Sequence, residues 1–367
     1  MDIASGSATE MKVLFVTRKY PPVKGGMERV SYDLHASLSK VVSLSLIKPS
    51  KDYPAPFSVL LLFLKVLREL SSRDYDIVYL QDCMLSPIIL VAKVYGVPTV
   101  VSAHGLDVVY PNPLYRLMTR IFLRKADRVI CVSSATRAAC SERGISPERT
   151  VVIPNGLNTS KWDEIASKIR ERENQVAVQN EDMILSVGRL VERKGFHWFI
   201  SNVLPRVISE VPNIRYTLIG NGKMRKEIEH VVSKTKLKDR VVLLGKVSDD
   251  EVAKAYVHAS VMVTPNIPIK GELEGFGVGN LEAAYFGVPV VAAKLEGIPD
   301  AVIEGVTGTL VEPLDSSEFA RRISGILKGE IRFDRRLMRQ TIQQRYSWDS
   351  IALSFRSEFD KVLQERC

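Results

Sequence analysis

Short apolar runs and longer segments of 3.6-residue period alternate along this chain. Met11–Thr17 (MKVLFVT) is the first apolar run and predicts a strand. The glycine-bearing loop Tyr20–Gly26 follows, and Met27–Lys40 then carries Val30, Leu34 and Leu38 on one helical face. Further strands are predicted at Val41–Ile47, Ile77–Leu80, Thr99–Ser102, Arg128–Val132 and Thr150–Ile153, with helical patterns between most of them. These strands are apolar throughout rather than alternating. That pattern predicts a parallel α/β sheet covered by helices on both faces.

Residues 158–180 are polar and charged without a strand signal, and read as a partly helical linker. A second series follows at Met183–Val187, Arg215–Ile219, Val241–Leu244, Val261–Thr264, Pro289–Ala292 and Gly308–Val311. The tail from Ser347 reads as a helix with Ile351, Phe355 and Phe359 on one stripe. The expected organisation is therefore a first domain over 11–170, a second over 176–345, and a helix over 346–367 crossing back to the first.

Composition agrees with two such domains. The chain has 367 residues, 46% of them apolar, more than one domain usually holds. Cys83, Cys131, Cys140 and Cys367 contain no CxxC pair. Cys83 and Cys131 lie in or beside strand-like runs, so buried free thiols and a reducing cytoplasm are expected. Met1–Glu10 reads as a polar tail, with no signal peptide. The longest apolar stretch, Phe57–Leu64, is too short to span a bilayer. The formal net charge is +9, and the excess lies early: 24 basic and 17 acidic residues up to residue 173, against 27 and 25 after it. Such an excess favours anionic partners, or simply marks a solvated basic face. Pro54–Leu70, with Lys65 and Arg68, reads either as a basic amphipathic helix at an anionic membrane surface or as a helix covering the first sheet.

The most informative segment is Glu274–Ala283 (EGFGVGNLEA). It sets Glu274 and Glu282 eight residues apart with Gly275, Gly277 and Gly279 between them. Glycines allow positive φ and close backbone approach to a ligand. Glu274 is expected on a loop and Glu282 within or beside a helix start, where free amides suit a phosphate and carboxylates suit hydroxyl groups. Ser186–Gly195 (SVGRLVERKG) leaves a strand with Gly188, Arg189 and Lys194, cations suited to a diphosphate beyond the carboxyl end of a sheet. Arg193 beside Lys194 also fits ordinary surface charge at a turn.

Gly25 and Gly26 precede a helix and can present backbone amides to phosphate. There is no GxGxxG or P-loop, which removes the main supports for nicotinamide or ATP chemistry. His104, in Ser102–Asp107 (SAHGLD), follows a strand and is placed for ligand contact. No HxH or HExxH spacing occurs, no DxD spacing is expected, and no acidic pair is expected at the diphosphate site. No metal and no cofactor are therefore expected, and Arg189, Lys194 and a helix end would neutralise the leaving group.

Together these segments resemble the retaining glycosyltransferases of family 4, whose GT-B fold has two Rossmann-like domains facing each other across a cleft. The resemblance runs from Met11 to the tail. It rests on the paired glutamates, GGMERV from Gly25, His104, SVGRLVERKG, Pro154–Asn155–Gly156 and Tyr346–Ser347–Trp348. It implies that Arg189 and Lys194 bind the donor diphosphate and that Glu282 binds the ribose diol. Glu274 and the backbone of Gly275, Phe276 and Gly277 would hold the sugar hydroxyls. His104 would reach the outer hydroxyl and assist near the anomeric centre, and Gly25 and Gly26 would approach the diphosphate. It implies front-face retention without a metal. Pro265–Leu273 looks like members that use GDP-mannose, including those acting on phosphatidylinositol mannosides; others with similar loops use UDP-hexoses. The acceptor is expected to be lipid-linked, a glycan or a small polar molecule. No nucleic-acid partner is expected, while weak association with anionic membranes is. A GT-B epimerase and a non-catalytic sugar-nucleotide-binding module are the alternatives.

Overall fold

A computed structural model describes residues 11–22, 25–49, 55–173 and 182–366. The Met1–Glu10 tail, Pro54 and Cys367 lie outside them. In chain order the strands are β1 (Lys12–Val16), β2 (Ser43–Ile47), β3 (Ile77–Leu80), β4 (Thr99–Ala103), β5 (Arg128–Cys131), β6 (Thr150–Val152), β7 (Asp182–Val187), β8 (Ile214–Ile219), β9 (Val241–Gly245), β10 (Val261–Thr264), β11 (Val290–Ala293) and β12 (Gly308–Val311). The helices are α1 (Gly26–Leu38), α2 (Ala55–Ser72), α3 (Ile88–Val94), α4 (Leu106–Val109), α5 (Pro113–Leu123), α6 (Ser134–Glu142), α7 (Thr159–Glu173), α8 (Phe196–Asn202), α9 (Leu204–Glu210), α10 (Arg225–Lys234), α11 (Asp249–His258), α12 (Val278–Tyr285), α13 (Ser316–Leu327), α14 (Arg335–Tyr346) and α15 (Trp348–Gln364).

Two units result: Met1–Gly156 with Trp348–Cys367, and Leu157–Ser347. The first holds a parallel sheet of order β2-β1-β3-β4-β5-β6, the second one of order β12-β11-β10-β7-β8-β9. Each order reverses once, between β1 and β3 and between β7 and β10. At such switch points the loops leave neighbouring strands in opposite directions and open a crevice at their carboxyl ends.

In the first unit, α15 packs with α1 on one face of the sheet. Trp348, Ile351, Phe355 and Phe359 join Val30, Leu34, Phe15 and Tyr79 in one buried group. The Tyr79 ring meets Phe355 at 5.6 Å and Phe359 at 6.0 Å. Fully burying an apolar side chain of this size contributes about 1.5–3 kcal/mol, so this helix is integral to the unit. Gly156 allows it: a Cβ there would lie 2.4 Å from Trp348 Cδ2. Gly156 and Trp348 thus meet in a contact that only glycine permits. Cys83, Cys131 and Cys140 are free and buried.

The first unit ends at Gly156, whereas the sequence reading carried it to 170. The charged character of 158–180 concealed why. Trp162 of α7 is buried, its ring edge-on to Tyr256 (6.3 Å) and Phe286 (5.6 Å). Asp163 accepts the Tyr285 hydroxyl at 2.8 Å. One aromatic residue therefore anchors an otherwise polar helix to the second unit.

Candidate functional site

In the second unit the loops after β7 and β10 are stitched together at the switch point. Gly188 leaves β7 packed so closely that its carbonyl oxygen would lie 1.8 Å from a Cβ on Gly220. Glu192–Lys194 forms one 3-10 turn, closed by Gly195 at φ +67°. A Cβ on Gly195 would meet the Pro265 carbonyl oxygen at 2.0 Å, so only glycine serves here. Ile267 N then donates to Arg193 O at 2.9 Å.

This turn delivers two cations to Glu274. Glu274 Oε2 receives Lys194 Nζ at 2.7 Å, Arg193 Nη1 at 3.0 Å and Asn266 Nδ2 at 3.2 Å. Burial alone would push this carboxyl up, but Lys194 and Arg193 outweigh it and hold the group ionised, at about 2. Arg193 is buried and also lies 3.4 Å from Glu272 Oε2, so it is not the surface charge the sequence allowed. Its adjacency to Lys194 hid this, because only the 3-10 turn points both side chains at one carboxylate. Arg189 is exposed and makes no ion pair among the described residues.

The backbone of Glu274 is fixed from the other side. Its N–H donates to the Glu296 carboxylate, and its carbonyl accepts Gly297 N at 3.0 Å. Glu296 itself sits at φ +53°, a left-handed conformation that non-glycine residues adopt at a cost. Burial raises the Glu296 pKa, against the hydrogen bond from Glu274. A Cβ on Gly297 would meet the Gly275 carbonyl oxygen at 2.1 Å. Phe276 is buried, with its ring 6.1 Å from Tyr346. Gly277, at φ +91°, then opens α12. Neither Asn266 nor Glu296 carried any signal in the sequence.

Glu282 lies in the body of α12, one turn beyond the helix start where it was expected. Gly275, Gly277 and Gly279 are poor helix formers, so the sequence pattern places the helix start later than the structure does. Glu282 Oε2 accepts the Tyr256 hydroxyl at 3.0 Å. Burial and then the Glu282 charge keep that phenol protonated, its pKa far above the ordinary value. Tyr256 stacks on Phe286 at 5.5 Å and so holds the carboxylate in one orientation. The second unit thus offers cations, first-turn helix amides and two oriented carboxylates, a set suited to a phosphate and hydroxyl groups on one ligand.

The first unit brings a second set of groups to its own switch point. Arg18, just after β1, places Nε 2.8 Å from Asp82 Oδ2, just after β3. His104 follows β4. Its Nε2 lies 2.8 Å from the Gln81 carbonyl oxygen, which can only accept, so Nε2 carries the proton in the neutral ring and Nδ1 is an acceptor. Nδ1 is buried and unpartnered among the described residues. Asp107 fixes the turn, taking His104 N at 2.8 Å and Cys83 N at 3.2 Å. Gly25 is extended (φ −172°) and Gly26 begins α1; both are exposed.

The expectation that no DxD spacing occurs is corrected by Asp74 and Asp76, which have it. Asp76 Oδ2 accepts Lys12 N at 2.7 Å. The pair therefore sits at the amino ends of β1 and β3, away from the carboxyl ends where ligands bind. Among the described residues, no group of three or more His, Cys, Asp or Glu side chains is placed to hold a metal ion.

Two Rossmann-like units with these strand ends define a nucleotide-sugar glycosyltransferase of the GT-B class, an enzyme of hexosyltransferase type. The chain belongs to glycosyltransferase family 4. The Glycosyltransferase Family 4 profile matches residues 10–161, and the Glycosyl transferases group 1 profile matches residues 167–346. The chain is 26% identical to the phosphatidylinositol N-acetylglucosaminyltransferase gpi3 subunit of Schizosaccharomyces pombe, over 96% of this chain and 74% of that one. It is 27% identical to the GDP-mannose-dependent alpha-(1-6)-phosphatidylinositol monomannoside mannosyltransferase of Mycolicibacterium smegmatis, over 62% and 60%. The crystal structure of Anabaena HepE in complex with UDP has the same fold, with a TM-score of 0.74 at 21% identity over 96% of this chain and 100% of that one.

Proposed function

We propose that this enzyme transfers a hexose of mannose or glucose type from a nucleotide diphosphate donor with retention and without a metal. The observation that carries the reading is Glu274, buried and held ionised by Lys194 and Arg193 at the β7/β10 switch point. Lys194 uses one of its three N–H donors on Glu274, and the others, with Arg189 and the first amides of α12, suit the diphosphate. Glu282, aligned by Tyr256, accepts from the ribose diol. Glu274 and the backbone of Gly275, Phe276 and Gly277 hold the sugar hydroxyls. Gly25 and Gly26 supply amides to the diphosphate, and His104 Nδ1 accepts from an outer hydroxyl.

The chemistry follows from what these groups cannot do. A carboxyl at about 2 is far too weak a base to take a proton from an alcohol near neutral pH. Glu274 therefore orients the sugar instead. The anomeric carbon–phosphate oxygen bond breaks, and the acceptor hydroxyl bonds that carbon from the same face. Its proton passes to the departing phosphate oxygen, so configuration is retained. Cations and amides stabilise the charge that develops on the diphosphate.

The finer reading places the donor as GDP-mannose or a UDP-hexose and the acceptor as lipid-linked, a glycan or a small polar molecule. Two relatives named for phosphatidylinositol substrates support the lipid-linked choice. The enzyme then works in the cytoplasm, peripherally at the inner face of the membrane. Among the described residues no helix is long and apolar enough to cross a bilayer. The test is a panel of UDP- and GDP-hexoses with and without phosphatidylinositol-type acceptors, read as nucleoside diphosphate release. Release with one donor supports the proposal; donor binding without release under every acceptor condition identifies a binding module.

A further inference from the structure

Two buried polar atoms of the first unit lack a partner among the described residues, and they are complementary. Gln81, just after β3, is fully buried, and its Nε2 is a donor without an acceptor. His104 Nδ1 is buried too. It is an acceptor, because Nε2 holds the ring proton against the Gln81 carbonyl oxygen at 2.8 Å. Leaving such groups unpaired costs free energy, so each calls for a partner. The Gln81 carboxamide is oriented from its other end. The Tyr79 hydroxyl donates to Gln81 Oε1 at 2.6 Å, and Ser102 Oγ, 2.6 Å from the same hydroxyl, then donates to Tyr79. Burial keeps Tyr79 a phenol, so this proton stays in place. Gln81 therefore has its oxygen committed and its amide hydrogens unassigned.

Gln81 and His104 both line one small cavity of the first unit, with a volume of about 10 Å³. That is room for a single oxygen with its hydrogens. Most of the wall is apolar, including Val30 and Leu34 of α1 and Trp348 and Phe355 of α15. His104, Pro154 and Asn155 are its half-buried residues. They follow β4 and β6, so the cavity opens at the carboxyl ends of the strands. One donor and one acceptor in such a wall select a group that both accepts and donates a hydrogen bond. A hydroxyl does so, whereas an ether oxygen or an ionised carboxylate only accepts and an ammonium only donates.

We propose that Gln81 and His104 together bind the outer hydroxyl of the transferring hexose. Gln81 Nε2 donates to the hydroxyl oxygen, and the hydroxyl donates to His104 Nδ1. This rests on the transfer reading above and adds Gln81 as a second residue that selects the sugar. A donor without that hydroxyl leaves both buried groups unpaired, so the site rejects it. The test compares GDP-mannose and UDP-glucose with their monodeoxy analogues on the full chain, by nucleoside diphosphate release and by calorimetric donor binding. At one position of the hexose, loss of the hydroxyl should lower the wild-type kcat/KM about a hundredfold. In Gln81→Met, which keeps the side-chain length without the amide, the same loss should cost about tenfold or less. Each penalty is a ratio within one protein, so a change in overall stability does not enter it. In the free wild-type enzyme, nitrogen-15 NMR should find the proton of the neutral His104 ring on Nε2. The proposal is overturned by a proton on Nδ1, or by a wild type that tolerates every monodeoxy donor. Equal penalties in wild type and Gln81→Met at every position also overturn it and leave the cavity to water alone. Binding of neither parent donor removes the transfer reading and this proposal with it; binding with equal penalties removes this proposal only.

Discussion

Lys194 Nζ sits 2.7 Å from Glu274 Oε2, joining the loop after β7 to the loop after β10. The ammonium and the carboxylate orient each other where the donor is proposed to bind. Lys194→Met should lower kcat/KM by about 10²–10³-fold, the range for losing one preorganised charge partner of a transition state. Arg193→Met should reduce stability as well, because Arg193 is buried between Glu272 and Glu274. Steady-state kinetics with thermal melts separates the two variants.

The depressed Glu274 pKa makes a signed prediction about acid. The group lies near 2 in the folded chain against an ordinary 4.5. Its stabilisation is therefore present above the ordinary value and lost as pH falls from there towards 2. The contribution is on the order of 3 kcal/mol near neutrality. Glu274→Gln should remove this dependence. Denaturant unfolding of both proteins should show a gap that is widest at about pH 6 and narrows steadily below the ordinary carboxylate pKa. A gap that stays constant through that range would mean that the ion pair does not set the acid limb.

Glu282 and Glu274 should fail in different ways. Glu282→Ala removes a contact to the nucleotide that exists before and during reaction, so donor affinity should fall about tenfold or more, mainly in KM. Tyr256→Phe removes only the orienting hydroxyl and should cost several-fold less. Glu274→Ala should act chiefly on kcat, because its proposed contact positions the transferring sugar. Donor titration by calorimetry beside kinetics distinguishes the three; equal donor affinity for wild type and Glu282→Ala would take Glu282 out of the site.

Glu296 offers a separation of stability from activity. Its positive φ costs about 1 kcal/mol, which Glu296→Gly would relieve. The same change removes the carboxylate that holds the Glu274 backbone N–H. The relieved φ offsets part of the lost charge-assisted hydrogen bond, so Tm should change little while kcat falls, with Glu296→Gln keeping more of the activity than Glu296→Gly. A Glu296→Gly enzyme of full activity would reduce this residue to a turn former.

Much of this was legible in the sequence because the signals are local. Apolar runs located the strands of both sheets to within a residue or two, since a fully covered parallel strand has no polar face. The glycine spacing around Glu274 located the loop, since positive φ at Gly277 and the close approach at Gly195 admit no other residue. What stayed hidden depends on distant partners. Arg193 and Lys194 are adjacent in a charged turn, yet both point at a residue some eighty positions away. Trp162 decides which unit α7 joins, against the polarity of its neighbours.

The central claim is tested most directly by the stereochemistry of transfer in a chelator. An α-linked nucleotide diphosphate hexose, the acceptor identified in the donor panel and excess EDTA are combined, and the product's anomeric configuration is read by proton NMR. The account predicts donor-dependent release of nucleoside diphosphate, undiminished by EDTA, and an α-linked product. A β-linked product, or turnover abolished by EDTA and restored by manganese or magnesium, would contradict it.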